Sequence, residues 1–101
     1  MSVTSTLSPD GNVLTIAVRG RFDFKSHNAF RSAYEQGSRG DTQFIVDMTD
    51  AEYMDSSALG MLLMLREYAG GESDRVRIVN AAGEIRNILR ISNFQKLFSI
   101  E

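Results

Sequence analysis

An acidic residue and two hydroxyls lie directly in front of an apolar run. The acid is Asp55 and the hydroxyls belong to Ser56 and Ser57, within residues 53–60 (YMDSSALG). The apolar run is residues 61–65 (MLLML). Asp and Ser are favoured where helices begin, because their side-chain oxygens accept hydrogen bonds from backbone N–H groups that have no partner inside the helix. The same N–H groups and the positive end of the helix dipole favour a bound phosphate. The pattern predicts a helix start whose serine is either a cap or a phosphorylation site.

The residues of this helix can be assigned to two faces, because successive residues turn by about 100°. The predicted core face contains Ala58, Met61, Leu62, Leu65 and Ala69. The predicted outward face contains Ser56, Gly60, Leu63, Met64 and Glu67. This outward face is unusually apolar for solvent, which indicates a protein partner docked beside Ser56. Ser57 is turned away from the centre of the face, so Ser56 is the better candidate for modification.

Gly60 also needs a reason for its place in this helix. A glycine in a helix interior costs roughly 1 kcal/mol relative to alanine. Close approach by another backbone is one physical reason to keep it.

Composition limits the classes of function. The 101 residues are enough for one domain, which we take to be residues 1–101. With 11 basic and 13 acidic residues the net charge is −2, so we expect neither nucleic acid nor a membrane surface as partner. Because there is no cysteine, disulfides, zinc–thiolate sites and cysteine nucleophiles are excluded. The polar first ten residues do not resemble a signal peptide, and we expect a cytoplasmic protein.

The first part of the chain predicts a β-hairpin followed by a helix. Residues 3–8 and 13–18 flank a turn cluster at 9–12, and Gly20 is expected to end the second strand. Asp23 or Ser26 can cap the helix, which residues 37–40 are expected to close. Its inward residues are predicted to be Phe30, Ala33, Tyr34 and Gly37.

The rest of the chain alternates between strand and helix patterns. Residues 44–48 and 75–79 predict strands, residues 53–70 predict the second helix, and Gly70-Gly71 stops it. A third helix follows Asn80 and Gly83, and residues 97–100 predict an edge strand. The inward residues of that third helix are predicted to be Ile85, Ile88 and Leu89. The order β-β-α-β-α-β-α-β predicts a single α/β domain with a mixed sheet of about four to five strands and helices packed on it.

An acidic cluster offers an enzymatic alternative. Asp47, Asp50 and Asp55 follow a predicted buried strand, where an α/β fold could bind magnesium or accept phosphate on an aspartate. A receiver-like phosphoacceptor needs an acidic pair after its first strand and a lysine after a late strand. The only lysines are Lys25 and Lys96, and neither has that position. We therefore expect no enzyme, no catalytic residues, no metal and no cofactor. His27, the only histidine, is expected to be an exposed helix residue.

Residues 54–60 (MDSSALG) resemble the D-S-S-[GA]-L-G signature of STAS domains, the family of bacterial anti-sigma factor antagonists. Weaker matches lie at residues 20–23 (GRFD), 44–48 (FIVDM) and 91–94 (ISNF), so the resemblance spans nearly the whole chain. The chain has Ala58 where many members have glycine. The order of elements predicted above agrees with the fold that the resemblance implies.

The resemblance implies a partner-switching mechanism. In the family, a partner kinase, often the anti-sigma factor itself, phosphorylates the serine directly after the motif aspartate, and a phosphatase reverses this. That residue is Ser56 here. The unphosphorylated form then binds an anti-sigma factor and serine kinase, or a response regulator with kinase or phosphatase output, and phosphorylation releases it. The predicted partner surface consists of Asp23, Asp55, Ser56, Ser57, Gly60, Leu63, Met64 and Glu67.

Charge explains how such a switch could work. A phosphoserine adds about −1.5 to −2 charges, beside Asp55, Glu52 and Glu67. We expect repulsion and a desolvation cost at the docked interface, and we expect the loop of Asp23 to lie near that of Ser56. A ligand-sensing STAS module, binding a nucleotide or another small molecule, is the remaining alternative. Against this alternative, the sequence has no glycine-rich phosphate loop, because Gly70-Gly71 follows a predicted helix and does not precede one.

Overall fold

Strands and helices alternate along the chain in the predicted order. The structure, a computed structural model, describes residues 2–38, 42–72 and 74–101. The elements are β1 (Ser2–Leu7), β2 (Val13–Phe22), α1 (His27–Tyr34), β3 (Gln43–Met54), α2 (Ser56–Tyr68), β4 (Val76–Val79), α3 (Gly83–Ile91) and β5 (Ser99–Ile100). Short 3-10 turns lie at Phe24–Ser26 and Phe94–Lys96. Of the helices in these ranges, none combines the length and the apolar character needed to cross a bilayer.

The five strands form one mixed sheet in the order β1-β2-β3-β4-β5. β1 and β2 form the predicted antiparallel hairpin, and each later neighbouring pair is parallel. Parallel neighbours need a crossover, and each of α1, α2 and α3 lies within one such connection. The predicted α/β class and the predicted order of elements are therefore confirmed.

One face of the sheet carries the core. Alternate residues of the two longest strands point to it, and all are at most 2% exposed: Leu14, Ile16, Val18, Phe44, Val46 and Met48. The predicted core face of α2 is buried as a whole: Ala58, Met61, Leu62, Leu65 and Ala69. Phe30, Ala33 and Tyr34 are buried on α1, as predicted. On α3, Ile85 and Leu89 are buried and Ile88 is half-buried.

The prediction that Gly20 ends the second strand is wrong. β2 continues through Gly20 to Phe22, and Gly20 has a φ of 75°. The pairing of β2 with β3 shifts between Gly20 and Arg21. A glycine in the left-handed region is typical of a β-bulge, which bends a strand without ending it.

The prediction that the second helix begins at residue 53 is also wrong. Tyr53 and Met54 belong to β3, where they pair with Arg21 and Phe22 of β2. Met54 is only 3% exposed, so its apolar side chain belongs to the core as part of β3 and not as part of a helix. The helix begins at Ser56.

The predicted ends of the helices agree better with the structure. Gly70 and Gly71 have φ values of 113° and 84°, and their N–H groups donate to Glu67 O (3.1 Å) and Arg66 O (2.8 Å). This is the glycine termination that the sequence predicts for α2. Gly37 follows α1 and donates to Tyr34 O (3.1 Å), whereas residues 39–40 of the predicted closing segment lie outside the described residues.

Gly37 has no room for a side chain, and Gly60 does. A Cβ at Gly37 would lie 2.8 Å from Cε2 and 2.9 Å from Cζ of Phe44, and 3.0 Å from Cγ2 of Thr42. Overpacking of this kind costs roughly 1–3 kcal/mol. We expect Gly37→Ala to lower the melting temperature, measured by circular dichroism.

Gly60→Ala is the matched control, because a Cβ there would meet no atom within 4 Å. Alanine is favoured in helices by roughly 1 kcal/mol over glycine, so this variant should melt at a higher temperature. Equal shifts for the two variants would contradict the packing at Gly37.

Candidate functional site

Two aspartates follow the ends of the two longest parallel strands. Phe22, the last residue of β2, pairs with Met54, the last residue of β3. Asp23 and Asp55 come next, both with extended backbones. Asp23 Oδ1 accepts a hydrogen bond from the N–H of Lys25 (3.1 Å) and so caps a 3-10 turn. The loops of Asp23 and Ser56 therefore begin at neighbouring strand ends, as the sequence analysis expects.

Asp55 is the N-cap of α2. Its Oδ1 accepts the backbone N–H of Ala58 at 3.1 Å and the hydroxyl of Ser57 at 2.6 Å. The hydrogen bond from Ser57 lowers the pKa of Asp55, and the backbone N–H of Ala58 lowers it further. The carboxylate is therefore ionised at neutral pH, where it faces the positive end of the helix dipole.

Asp55 distinguishes the two serines of the motif. Ser57 is half-buried and its hydroxyl is engaged by Asp55. Ser56 is the exposed first residue of α2, and its hydroxyl has no hydrogen-bond partner within the described part of the chain. Ser56 thus presents a free hydroxyl beside the first N–H groups of the helix.

The outward face of α2 has the predicted composition. Leu63 is 39% exposed and Met64 is 45% exposed, although both are large and apolar. Glu67 is also exposed, and Gly60 is half-buried with open space where a side chain would be. Nothing inside the described molecule therefore requires a glycine at position 60. We call Gly60, Leu63 and Met64 the apolar ridge.

Phe24 is a further surface residue at this end of the sheet, and the apolar pattern of the sequence does not predict it. It follows Asp23 and is 69% exposed. Its ring stacks on that of His27, with 6.2 Å between the ring centroids. His27 is accordingly half-buried, and the expectation of an exposed histidine is wrong. The sequence does contain a signal for an exposed Phe24: this aromatic residue follows the predicted cap Asp23 and does not fit the apolar spacing of the helix.

Arg21 connects the two strand ends and was also missed. Its guanidinium carbon lies 3.9 Å from the centroid of the Tyr53 ring, and its Nε lies 3.4 Å from Oδ2 of Asp23. Arg21 and Tyr53 are partners in the β2–β3 register, so the cation–π contact follows from the strand pairing. Such contacts contribute about 0.5–1 kcal/mol at exposed sites. Arg21 thereby brings a positive charge between Asp23 and Tyr53 at this end of the sheet.

The acidic cluster considered for an enzyme is not assembled. Asp47 and Asp50 lie within β3, whereas Asp55 follows its end. Asp47 accepts hydrogen bonds from Thr49 and from Asn80, and Asp50 forms an ion pair with Arg19 (3.5 Å). Burial raises the pKa of Asp47, but the hydrogen bonds from Thr49 and Asn80 lower it overall. No group of three His, Cys, Asp or Glu residues in the described ranges could hold a metal ion.

Removing the cap should destabilise the fold in a pH-dependent way. We expect Asp55→Ala to lower the free energy of unfolding by about 1 kcal/mol at pH 7, because Ala58 loses its hydrogen-bond acceptor. The folded pKa of Asp55 is depressed, so its ionised form contributes stability above the unfolded pKa of about 3.9. That contribution is lost as the pH falls through the folded value.

Urea unfolding of both proteins at several pH values measures this effect. The difference between wild type and Asp55→Ala should narrow at low pH, and Asp55→Asn, which keeps an acceptor oxygen, should lie between them at neutral pH. A difference that does not change with pH would rule out an ionised cap.

Comparison with known proteins identifies the family. The family model described as "Mlab, STAS domain" matches residues 5–99. A STAS-domain containing protein of Pseudomonas aeruginosa (strain UCBPP-PA14) is 50% identical over 100 residues, which cover 99% of each chain. The match to this relative therefore includes the ends of β2 and β3, the motif at residues 54–60 and α3.

Solved structures share the fold. The antisigma-factor antagonist STAS domain from Rhodobacter sphaeroides is 30% identical, with a TM-score of 0.59 over 78% of this chain and 85% of that one. The anti-sigma factor antagonist SpoIIAA in its unphosphorylated form has a TM-score of 0.72 at 15% identity, over 99% and 87% of the chains. Bacillus SpoIIAA in the phosphorylated form has a TM-score of 0.67 at 16% identity, over 99% and 91%. The chain belongs to the STAS domain family.

Proposed function

We propose that this protein is a partner-switching regulator of the anti-sigma factor antagonist type, acting in the cytoplasm. Its unphosphorylated form binds an anti-sigma factor that is also a serine kinase, or a response regulator with kinase or phosphatase output. Phosphorylation of Ser56 releases that partner, and a phosphatase restores binding. The free, exposed hydroxyl of Ser56 at the start of α2 carries this proposal. The antagonist described for Rhodobacter sphaeroides and the two forms of SpoIIAA support it.

The choice of Ser56 over Ser57 rests on access. A kinase must bring the γ-phosphate of ATP to the attacking hydroxyl, so the hydroxyl has to be reachable and free to turn. The hydroxyl of Ser57 donates a hydrogen bond to Asp55 at 2.6 Å. Phosphorylation of Ser57 would break this hydrogen bond and disturb the helix cap. The hydroxyl of Ser56 can be modified without breaking any hydrogen bond of the described fold.

A phosphate on Ser56 would change binding more than it changes the fold. The first N–H groups of α2 and the helix dipole favour an anion at this position, so the domain can keep its shape. The added charge, however, stands directly next to the ionised Asp55, which caps the same helix. A partner that covers this surface has to desolvate these negative charges together. Each 1.4 kcal/mol of lost binding energy weakens the complex about tenfold.

The apolar ridge is the proposed docking surface. Leu63 and Met64 are exposed apolar side chains on the same face as Ser56, and Gly60 lies between them and the phosphorylation site. Because a Cβ at Gly60 would meet no side chain or neighbouring element of the described molecule within 4 Å, the space where it would lie is open to the backbone of a partner. A partner seated there would lie against the apolar ridge and next to Ser56.

Substitutions at Ser56 test the switch. We expect Ser56→Ala to bind the partner and resist the kinase, because it removes only the hydroxyl. Ser56→Asp should weaken binding about tenfold or more, although its single charge imitates phosphate incompletely. A pull-down with Ser56→Ala as bait, with proteins identified by mass spectrometry, finds the partner, and titration of that partner measures the effect.

Ser32→Asp is the matched control, because it adds the same charge at an exposed serine of α1. It should bind as wild type does. If Ser56→Asp also binds as tightly as wild type, the electrostatic account of the switch fails.

A charge on the apolar ridge should separate binding from folding. We expect Leu63→Glu to reduce partner binding at least tenfold, since it places a charge in an apolar contact. Its free energy of unfolding should change by no more than about 0.5 kcal/mol, as is usual for surface substitutions.

Ile91→Glu is the matched control for this variant, because Ile91 is 81% exposed and lies at the end of α3. It introduces the same change outside the proposed surface and should leave binding intact. Equal loss of binding in both variants would refute a ridge-specific interface, and a large fall in the melting temperature of Leu63→Glu would refute the exposure of that residue.

A further inference from the structure

A cavity with two arginines in its wall lies between α3 and the edge of the sheet. It measures about 300 Å³ and is lined by Arg86, Leu89, Arg90, Gln95 and Ile100. This volume is at the lower end of the range of about 300–1,000 Å³ for small-molecule pockets. The cavity shares no residue with the motif or with the apolar ridge. The proposed switch at Ser56 therefore makes no use of it.

The two arginines are unpaired although they are close neighbours. Arg86 and Arg90 are four residues apart on α3, so they lie on the same side of the helix one turn apart. None of the ion pairs among the described residues includes either guanidinium. Like charges at this spacing destabilise a helix by about 0.2–0.5 kcal/mol. A bound anion would remove this repulsion.

The surrounding charge is positive, unlike that of the rest of the chain. Residues 75–101 contain five Lys or Arg and two Asp or Glu, whereas residues 1–74 contain six and eleven. Of the two acids, Glu101 is neutralised by Arg77, with N–O distances of 2.6 and 2.7 Å. The other, Glu84, lies in the first turn of α3 and lines a separate small cavity with Glu52. Among the described residues that line the arginine cavity there is no acid.

The apolar part of the cavity is held by fixed elements. Leu89 is 0% exposed in the core, and Ile100 pairs with Ile78 of β4 in the sheet register. The 3-10 turn that carries Gln95 is anchored by Phe94 and Phe98, whose buried rings stack at 5.2 Å. Walls that are ordered before binding reduce the entropy lost on binding.

We infer that this cavity binds a small phosphate monoester attached to an apolar or aromatic group. Two guanidinium groups match the charge of about −2 on such a phosphate, and their N–H groups fit its oxygens as bidentate donors. The side-chain amide of Gln95 supplies another donor, and the half-buried Ile100, backed by the core residue Leu89, provides the apolar surface for the organic group. The inference does not depend on the proposed function of Ser56.

Titration of the 15N-labelled protein with phenyl phosphate, followed by NMR, tests the inference. We expect saturable shifts at Leu89, Gln95 and Ile100, weaker binding of inorganic phosphate, which lacks the ring, and weaker binding of benzoate, which carries one charge. Affinity should fall in 1 M salt, where the Debye length is about 3 Å. Benzoate binding as tightly as phenyl phosphate would overturn the requirement for a dianion, and an unsaturated response to phenyl phosphate would overturn the site.

Variants show whether the arginines are responsible. The double variant Arg86→Gln/Arg90→Gln should bind phenyl phosphate at least tenfold more weakly. Arg31→Gln, which changes an exposed arginine on α1, should bind it as wild type does. All three arginines are exposed, so we expect each variant to fold, and circular dichroism checks this. Undiminished binding by the double variant, or shifts confined to the start of α2, would overturn the inference.

Discussion

The parallel pairing of β2 with β3 is the constraint on which the rest of the structure depends. It runs from Val13 and Gln43 to Phe22 and Met54, and the bulge at Gly20 is accommodated within it. Parallel strands leave a sheet at the same edge, so the residues after Phe22 and Met54 emerge side by side. Both emerging residues are aspartates, and each caps the turn or helix that follows. The position of Ser56 is thus set by backbone pairing in the middle of the sheet.

The two serines of the motif differ because the acidic cap accepts a hydrogen bond from the hydroxyl of Ser57 and not from that of Ser56. Asp55 needs hydrogen bonds to stabilise its charge, and Ser57 and Ala58 supply them. Ser57 therefore belongs to the architecture of the helix start. Ser56 comes first in the helix, faces outward and remains free. An ionised cap also means that any phosphate added at Ser56 meets a negative charge already in place, which strengthens its effect on a docked partner.

The sequence predicts elements where one periodicity continues without interruption, and it fails where an element depends on its neighbour. The faces of α2 are predicted correctly because the apolar spacing of the helix is regular from Ala58 to Ala69. The end of β2 and the start of α2 are predicted incorrectly. Gly20, Tyr53 and Met54 belong to strands because they pair with residues of the neighbouring strand. Phe24 lies in a 3-10 turn of 3 residues, which is too short to show a repeating apolar pattern. The arginine cavity combines α3, the 3-10 turn of Gln95 and β5, which come together only in the folded chain.

α2 has two apolar faces: one is buried in the core, and the other, with Leu63 and Met64, is exposed. The same helix can therefore stabilise the fold and provide the proposed binding surface. Buried side chains such as Leu62 and Leu65 each contribute about 1.5–3 kcal/mol of hydrophobic stabilisation where the helix packs on the core. Leu63 and Met64, at 39% and 45% exposed, contribute less than the buried residues and leave apolar surface for the proposed partner. A charge added at Ser56 acts on this second face alone. Under the proposed switch, a partner would therefore be released without rearrangement of the core, and the fold would be ready for rebinding once the charge is removed.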